Sequence, residues 1–399
     1  MAGPYIGCMK HTIFLILWLL VPRDSLSVMC WNVENFFDWR NDTTTVSDTE
    51  FSSYGERHWT RKRFQAKANA FAKALFWVEG ETGRLPDVVG LEEVENAFVL
   101  RQLLRKTALR KTDYQYVHYD SPDRRGIDVA LLYRSSRQEL LDSKPCHLFA
   151  ADTVMATRDI LLCVFRRAGP SVVPERSSVM PDPSYSVMPD PDWASITPIQ
   201  GIPGQAGNDG KRQAGKDDTF AVLVNHHPSK YGGAAESEPR RRVAVERLRF
   251  LTDSLAAIGV DQIIAGGDFN DTPDNPVFRL LEPALAPMHM DLFRRGLGTI
   301  KYDGKWGLID HIYVSPALIS VPLSASTFES FSGDVDRQTE KAGKNPSAYV
   351  RMQILRIPFL LTRDTVHSGE KPLRTYTGPR HTGGVSDHLP VLLEVSFPP

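Results

Sequence analysis

The sequence predicts a layered α/β or α+β domain, in which helices cover β-sheets. Three segments have the period of amphipathic helices, and eight short apolar runs rich in β-branched residues alternate with them along the chain. Such alternation is typical of sheets covered by helices. At 399 residues and 42% hydrophobic composition the chain can bury a large core, which excludes a wholly disordered protein. No second domain is evident.

The three predicted helices follow residues that begin helices well. The first comes after Thr60, the second after Asn96 and the third after Ser237 and Pro239. Their apolar residues recur every three or four positions, which predicts one face packed on a sheet. These residues are Phe64, Ala68, Phe71, Leu75 and Val78, then Leu100, Leu103 and Leu104, and finally Ala244, Leu248, Leu251, Leu255 and Ile258.

Two segments fall outside this pattern. The N-terminus carries Lys10 and His11 before the apolar run "TIFLILWLLV", so residues 1–27 are predicted to be a secretory signal and the protein to be secreted or periplasmic, in the cell envelope. The alternative is an uncleaved apolar strand or anchor and a cytoplasmic protein; no stable membrane span is expected, because the run is short for a bilayer. Residues 169–218 are rich in Pro, Gly, Ser and Asp, which predicts a disordered insertion in a domain of residues 28–399.

Charge and cysteine content narrow the function. The formal net charge is −1, so any phosphate-binding surface must be a local patch, and tight sequence-specific DNA binding is disfavoured. The chain has four cysteines without CxxC or Cys/His spacing, so neither a zinc site nor a disulfide framework is predicted.

The informative polar residues stand at the ends of the predicted strands, which are "SVMCW", "DVVGL", "DVALLY", "ILLCVF", "FAVLV", "QIIAG", "IDHIYV" and "PVLLEV". Alone, each polar residue has an ordinary interpretation as a turn, cap or surface residue. Sites in α/β sheets are assembled just outside strand ends, so the repetition favours one shared cleft. The residues are Asn32, Glu92, Glu93, Asn225, His226, His227, Asp268, Asn270, Asp310, Asp387 and His388.

This set predicts a chemistry. Carboxylate and amide oxygens without thiolates suit a hard cation, Mg²⁺ or Mn²⁺, with Ca²⁺ as an alternative. Imidazoles transfer protons near neutral pH, and a carboxylate such as Asp310 would hold His388 in one tautomer. Hydrolysis of a phosphate ester is the reaction that these groups support together.

The motifs resemble those of the endonuclease/exonuclease/phosphatase superfamily. The resemblance runs in order along nearly the whole chain, through "CWNVEN", "DVVGLEEVEN", "RRGIDVALLYR", "TRDILL", "VNHHPSK", "GGDFND", "IDHIYVS" and "SDHLPV". Within the superfamily, "NHHPSKYGG" and "RTYTGPRHTGGVSDHLP" look most like secreted or cell-envelope endonuclease-like proteins of bacteria. The resemblance implies a four-layer α/β sandwich of two packed, mostly antiparallel mixed sheets flanked by helices. It also implies a divalent-metal site at Asn32, Glu93 and Asp387.

The resemblance implies catalytic roles as well. Asp268 and Asn270 would contact the scissile phosphate and the attacking water, or a second metal ion. The two acid/base or transition-state-stabilising imidazoles would be His388, paired with Asp310, and His226.

Several further residues follow from the same resemblance. Arg158 and Lys230 would contact the phosphate backbone of the substrate, and His227 would lie in the groove. Ile127 stands where abasic-site endonucleases have an active-site tyrosine, which argues against that repair activity.

The sequence therefore predicts a divalent-metal-dependent phosphodiesterase, an endonuclease that reads the backbone of DNA or RNA with little sequence preference. The alternative is a phospholipid or inositol-phosphate phosphodiesterase or phosphatase of the same superfamily. A non-catalytic binding protein on the same fold is the third hypothesis. We expect a monomer without an obligate protein partner.

Overall fold

The structure is a computed structural model that describes residues 25–41, 45–168, 218–230, 233–319 and 349–397. The predicted signal segment, residues 1–27, lies outside the described residues except for Ser25–Ser27, which belong to the first strand. The predicted insertion, residues 169–218, also lies outside them except for Asp218, which pairs with Arg167.

The first of two six-stranded sheets contains strands from both ends of the described chain. Its strands, in spatial order, are β15 (Tyr349–Ile354), β20 (Val391–Ser396), β1 (Ser25–Phe36), β2 (Val88–Val94), β4 (Asp128–Arg134) and β3 (Tyr114–His118). Only β1 and β2 run parallel. Their carboxyl ends therefore meet at one edge of the sheet.

The second sheet repeats this plan. Its strands, in spatial order, are β11 (Ala286–Pro287), β14 (Asp310–Val314), β10 (Gln262–Asp268), β9 (Thr219–His226), β8 (Ile160–Arg167) and β5 (Gln138–Cys146). Only β9 and β10 run parallel, and the other neighbours are antiparallel. Each sheet thus contains one parallel pair whose carboxyl ends can contribute to a shared site.

Smaller elements complete the described chain. The hairpins are β6 (Phe149–Ala150) with β7 (Thr153–Val154), β12 (Ile300–Tyr302) with β13 (Lys305–Gly307), β16 (Leu361–Arg363) with β17 (Glu370–Pro372), and β18 (Tyr376–Thr377) with β19 (Arg380–His381). The α-helices are Val46–Glu50, Arg61–Thr82, Ala97–Lys106, Ala234–Ala257 and Met290–Arg294. Short 3₁₀ helices span Ala108–Lys111, Pro276–Leu281, Pro316–Leu318 and Pro358–Leu360. Among the described residues, no helix combines the length and the hydropathy that crossing a bilayer would require.

The core shows why the sheets form layers. Val28 and Cys30 of β1 pack between the two sheets, whereas the alternate residues Met29 and Trp31 pack on the outer side. There the Trp31 ring stacks on Phe71 of the Arg61–Thr82 helix, with ring centroids 5.3 Å apart. The helix Ala234–Ala257 covers the outer face of the second sheet in the same way. The order is helix, sheet, sheet, helix, which confirms the predicted four-layer sandwich.

Two predicted helix starts are confirmed and one is wrong. The Thr60 side chain accepts a hydrogen bond from the Arg63 amide, and Asn96 Oδ1 accepts one from the Val99 amide at 3.0 Å. The third helix begins at Ala234, before Ser237. The Ser237 hydroxyl donates to the Gly233 carbonyl four residues earlier, at 2.6 Å, which is a bond within the first turn rather than a cap.

Candidate active site

The strand register brings the predicted site residues to one edge of the sandwich. At the end of β10, Asp268 lies opposite His226 on β9 and Asp310 on β14. Asn32 stands near the end of β1 in the other sheet. The Asn32 Nδ2 atom donates to Asp268 Oδ2 at 3.0 Å, so this buried hydrogen bond joins the two sheets at the cleft.

Asp268 is the centre of the arrangement. Its Oδ1 accepts a hydrogen bond from the Asn270 backbone amide at 2.8 Å, and its side chain is buried. Burial raises the pKa of Asp268 to about 7, although the positive charge of His388 acts in the opposite direction. A buried carboxylate with a raised pKa is typical of a functional site that binds a cation or exchanges a proton.

His388 lies on one side of Asp268 and is paired with a carboxylate. Its Nδ1 is 2.9 Å from Asp310 Oδ2, and its Nε2 points to Asp268 Oδ2 at 3.9 Å. Burial lowers the pKa of His388, but Asp310 and Asp268 raise it further, so it lies well above the usual range. Thr299 donates to the same Asp310 carboxylate. His388 is therefore held as an imidazolium with Nδ1–H directed at Asp310.

His226 lies on the other side and has no such partner. Its Nε2 is 3.7 Å from Asp268 Oδ2 and 3.9 Å from Glu93 Oε1, while its buried Nδ1 has no hydrogen bond within the described part of the chain. Burial lowers the pKa of His226 well below its usual value, and the positive charges of Arg158 and Arg125 lower it further. This imidazole is neutral at physiological pH.

Backbone strain concentrates at the ends of β1 and β2. Glu34, Asn35 and Glu93 have positive φ angles of 47°, 51° and 65°, and Asn270 after β10 has 51°. The register between β1 and β2 shifts at this point, which is the geometry of a β-bulge. The bulge turns the Glu93 carboxylate so that its Oε2 accepts the Asn35 amide at 2.8 Å. Left-handed backbone conformations of residues other than glycine cost free energy, and they are concentrated at functional sites.

A charged network stands behind the His388 side. The Arg374 guanidinium is 3.0 Å from Asp387 Oδ2 and 3.1 Å from Glu34 Oε1. The buried Lys67 ammonium donates to the Glu34 backbone carbonyl and, at 2.9 Å, to the Thr375 hydroxyl. Burial raises the pKa of Glu34 to about 7 and lowers that of Lys67 to about 8. Asp387 is thereby fixed by Arg374 at the rim of the cleft.

With this geometry established, a family model described as "Endonuclease/Exonuclease/phosphatase family" matches residues 27–169 and 212–396. The chain belongs to this family. The resemblance predicted from the motifs is therefore confirmed, and the superfamily consists of metal-dependent phosphoesterases. A search of curated protein sequences found no significant match to the chain.

Solved structures of the superfamily are similar to this chain. One is an endonuclease/exonuclease/phosphatase family protein from Bacteroides thetaiotaomicron, at 15% identity and a TM-score of 0.48, with 94% of this chain and 98% of that chain covered. Another is the human Nocturnin catalytic domain, at 16% identity and a TM-score of 0.46, with 94% and 96% covered. A mannosyl-6-phosphatase from Bacteroides thetaiotaomicron has 14% identity and a TM-score of 0.48, with 93% and 100% covered.

The donor set fits the divalent metal that the superfamily uses. Ligand atoms of Asp268, Asp310 and His388 lie within 4.8 Å of one another, and because His388 is an imidazolium, only the two carboxylates of this cluster could bind a metal ion. The carboxylates of Glu93 and Asp387 both raise the pKa of Arg374, and Asp387 Oδ2 lies 3.0 Å from its guanidinium. Oxygen donors dominate both groups, which suits a hard cation. The Asn32 side chain is already engaged, because its Oδ1 accepts the Glu34 amide at 2.9 Å.

The two glycines before Asp268 have a packing role. Gly267 has a φ of 132°, and a Cβ there would lie 2.0 Å from the Asn225 carbonyl oxygen and 2.8 Å from Glu92 Oε1. Glu92 is wholly buried, and its carboxyl oxygens have no hydrogen-bond partner within the described residues. Burial raises the pKa of Glu92 well above its usual value, so it is a neutral acid beneath the site. The stretch "GGDFN" therefore brings β10 close to its neighbours before it delivers Asp268.

Three predicted site residues form contacts within the protein itself. The prediction that His227 lines the groove is wrong, because the residue is buried and its ring packs on Phe269 with centroids 4.5 Å apart. Arg158 is also buried, and it donates to Asp123 Oδ2 at 3.1 Å and to the His227 carbonyl at 2.6 Å. Lys230 pairs with the buried Asp271 carboxylate at 2.6 Å. The substrate contacts of Arg158 and Lys230 stay predictions.

Sequence reasoning missed the network of Glu34, Lys67 and Arg374. One signal was present in the sequence. Lys67 falls three residues after Phe64, on the apolar face of the first predicted helix, where a lysine has no solvent to reach. A charged residue at a buried helix position implies a buried partner.

Proposed function

We propose that this protein is an Mg²⁺-dependent phosphodiesterase that cleaves the backbone of nucleic acid with little sequence preference. The observation that supports the proposal is the pair of imidazoles around Asp268, with Nε2 of His226 at 3.7 Å and Nε2 of His388 at 3.9 Å from the same carboxylate oxygen. Their environments move the two pKa values in opposite directions, so His388 is a charged proton donor and His226 is a neutral hydrogen-bonding group.

The roles follow from these charge states. Asp268, whose pKa is about 7, accepts a proton from the attacking water, which neutral His226 helps to orient. Charged His388, held by Asp310, stabilises the developing negative charge and protonates the leaving oxygen. Phosphodiester cleavage releases an alkoxide that requires such a proton donor. A divalent ion held by Glu93 and Asp387 would supply charge stabilisation to the phosphoryl oxygens.

A substrate panel tests the proposal. Purified protein is incubated with plasmid DNA, single-stranded DNA, RNA, sphingomyelin and inositol phosphates, with Mg²⁺ and with a chelator. We expect Mg²⁺-dependent cleavage of the nucleic acids, and a loss of about 10²–10⁴-fold in the Glu93→Gln variant. Glu81→Gln, an exposed carboxylate on the Arg61–Thr82 helix, is the matched control. Release of phosphate or phosphocholine without nucleic acid cleavage would instead support the lipid or inositol-phosphate alternative.

A further inference from the structure

A basic concavity adjoins the candidate active site. Two neighbouring cavities of about 360 Å³ and 200 Å³ share Arg124, Ala156 and Arg240 in their walls. The smaller one also contains Arg125 and Arg158. We call these four arginines with their two cavities the basic groove. Among the residues that the structure describes, Asp123 is the single carboxylate in its walls, so the described groove has an excess of positive charge.

The groove connects to the site through one backbone carbonyl. His227 O accepts hydrogen bonds from Arg158 at 2.6 Å and from Asn270 Nδ2 at 3.0 Å. Pro228, the next residue, lies in the wall of the groove. Arg158 and Arg125 also lower the pKa of His226, which places their charges within electrostatic reach of the site.

The arginines of the groove differ from others on the same surface. On the Ala234–Ala257 helix, Arg242 pairs with Glu246 at 2.8 Å and Arg249 pairs with Asp253 at 2.9 Å. Arg240 instead reaches the Ala156 carbonyl at 3.5 Å. Arg124 is exposed and has neither a hydrogen bond nor an ion pair with any residue that the structure describes.

Several like charges around one concavity repel each other unless an anion lies between them. Arg158 and Arg125 already share Asp123, at 3.1 Å and 3.6 Å, whereas Arg124 and Arg240 form no ion pair with a carboxylate in the described ranges of the chain. Guanidinium groups with free donors recognise phosphate oxygens well, because their planar forks form paired hydrogen bonds.

We propose that the basic groove binds a second, non-scissile phosphate of the nucleic acid strand that is cut at Asp268. The inference rests on the proposed function and deepens it. A strand with one phosphate at the catalytic carboxylates and its neighbour in the groove would be selected over a substrate with a single phosphate group. The groove would recognise the charge of a phosphate and its distance from the scissile phosphate. It would make no base contact, in agreement with low sequence preference.

Binding without metal provides the direct test. A fluorescent single-stranded DNA oligonucleotide is titrated with protein in EDTA at several salt concentrations. For Arg124→Ala/Arg240→Ala we expect about tenfold weaker binding and a slope of log K against log salt that is smaller by about 0.7, the value for one phosphate contact on a single strand. Arg242→Ala should bind like the wild type. Arg124→Lys/Arg240→Lys, which keeps the charges, should retain most of the salt slope.

Cleavage separates this inference from the proposed function. We expect the ratio of kcat/KM for the oligonucleotide to kcat/KM for bis(p-nitrophenyl) phosphate to fall about tenfold in the double alanine variant. If the wild type cleaves neither substrate, the proposed function fails, and the binding data alone decide on the groove. Wild-type affinity and salt slope in the double alanine variant, or an equal loss in Arg242→Ala, would overturn the groove.

Discussion

Buried histidines on the two sides of the candidate site have opposite charge states. On the β14 side, His388 is charged because Asp310 lies 2.9 Å from its Nδ1. On the β9 side, His226 and His227 are neutral, and burial lowers both pKa values. One side stabilises a buried charge with carboxylates, and the other removes the charge. Two buried histidines beside the same carboxylate therefore acquire different charge states from the groups packed against them.

The neutral side extends into a stack of rings beneath the cleft. His227 packs on Phe269, Phe269 stacks on His311 at 5.0 Å, and His311 stacks on His289 at 4.2 Å. These histidines pack as aromatic rings. The charged side extends instead into the network of Lys67, Glu34, Arg374 and Asp387.

Removal of the charged imidazole should lower activity more than any other substitution proposed here. His388→Gln should lower kcat for DNA cleavage by about 10³–10⁴-fold, because both the proton donor and the positive charge at the leaving oxygen are removed. Single-turnover cleavage of a labelled strand measures this. His367→Gln, an exposed histidine on the β16–β17 hairpin, is the control and should behave like the wild type. Activity within tenfold of the wild type in His388→Gln would contradict the assigned role.

The neutral histidine should matter less. For His226→Gln we expect a loss of about 10²–10³-fold, because a neutral hydrogen-bonding group stabilises the transition state less than a charged one. The same single-turnover assay applies. A loss equal to or greater than that in His388→Gln would contradict the proposal that the charged imidazole contributes more to catalysis than the neutral one.

The charged network should contribute to stability. Lys67→Met leaves the Glu34 carbonyl and the Thr375 hydroxyl without their buried donor, and we expect the free energy of unfolding to fall by about 2–3 kcal/mol. Urea unfolding at neutral pH measures it. Lys62→Met, exposed on the same helix, should change the free energy by less than about 0.5 kcal/mol. An unchanged unfolding curve for Lys67→Met would show that the network is dispensable.

Much of the fold and part of the site could be predicted from sequence, for identifiable reasons. Asp268 and His226 each stand at the end of an apolar strand pattern, which can be recognised in the sequence. The parallel register of β9 and β10 then places them side by side. Glu34 and Arg374 are 340 positions apart, and no local pattern links them. The charge states of His226 and His388 also cannot be predicted from local sequence, because they depend on the groups that pack against each ring. The burial of His227 shows the same limit, since a histidine after a strand has the same local pattern whether it faces a groove or a core.

The smallest change that we expect is in the pH dependence of the free energy of unfolding, and it comes from the neutral histidine His289. Burial lowers the pKa of His289 to about 3, whereas in the unfolded chain it lies near 6.5. Between these values the unfolded state binds more protons, so the stability from neutral His289 is full above pH 6.5 and falls as the pH decreases towards 3. At pH 5 this loss is about 2 kcal/mol relative to pH 7.

His289→Phe should remove that part of the pH dependence, although it also loses the hydrogen bond to the Ile312 carbonyl at 3.1 Å and is less stable at pH 7. Urea unfolding at both pH values measures the difference, with the exposed His367→Phe as control. If the pH 7 to pH 5 difference is the same in His289→Phe as in the wild type, His289 is not the neutral ring that its packing indicates.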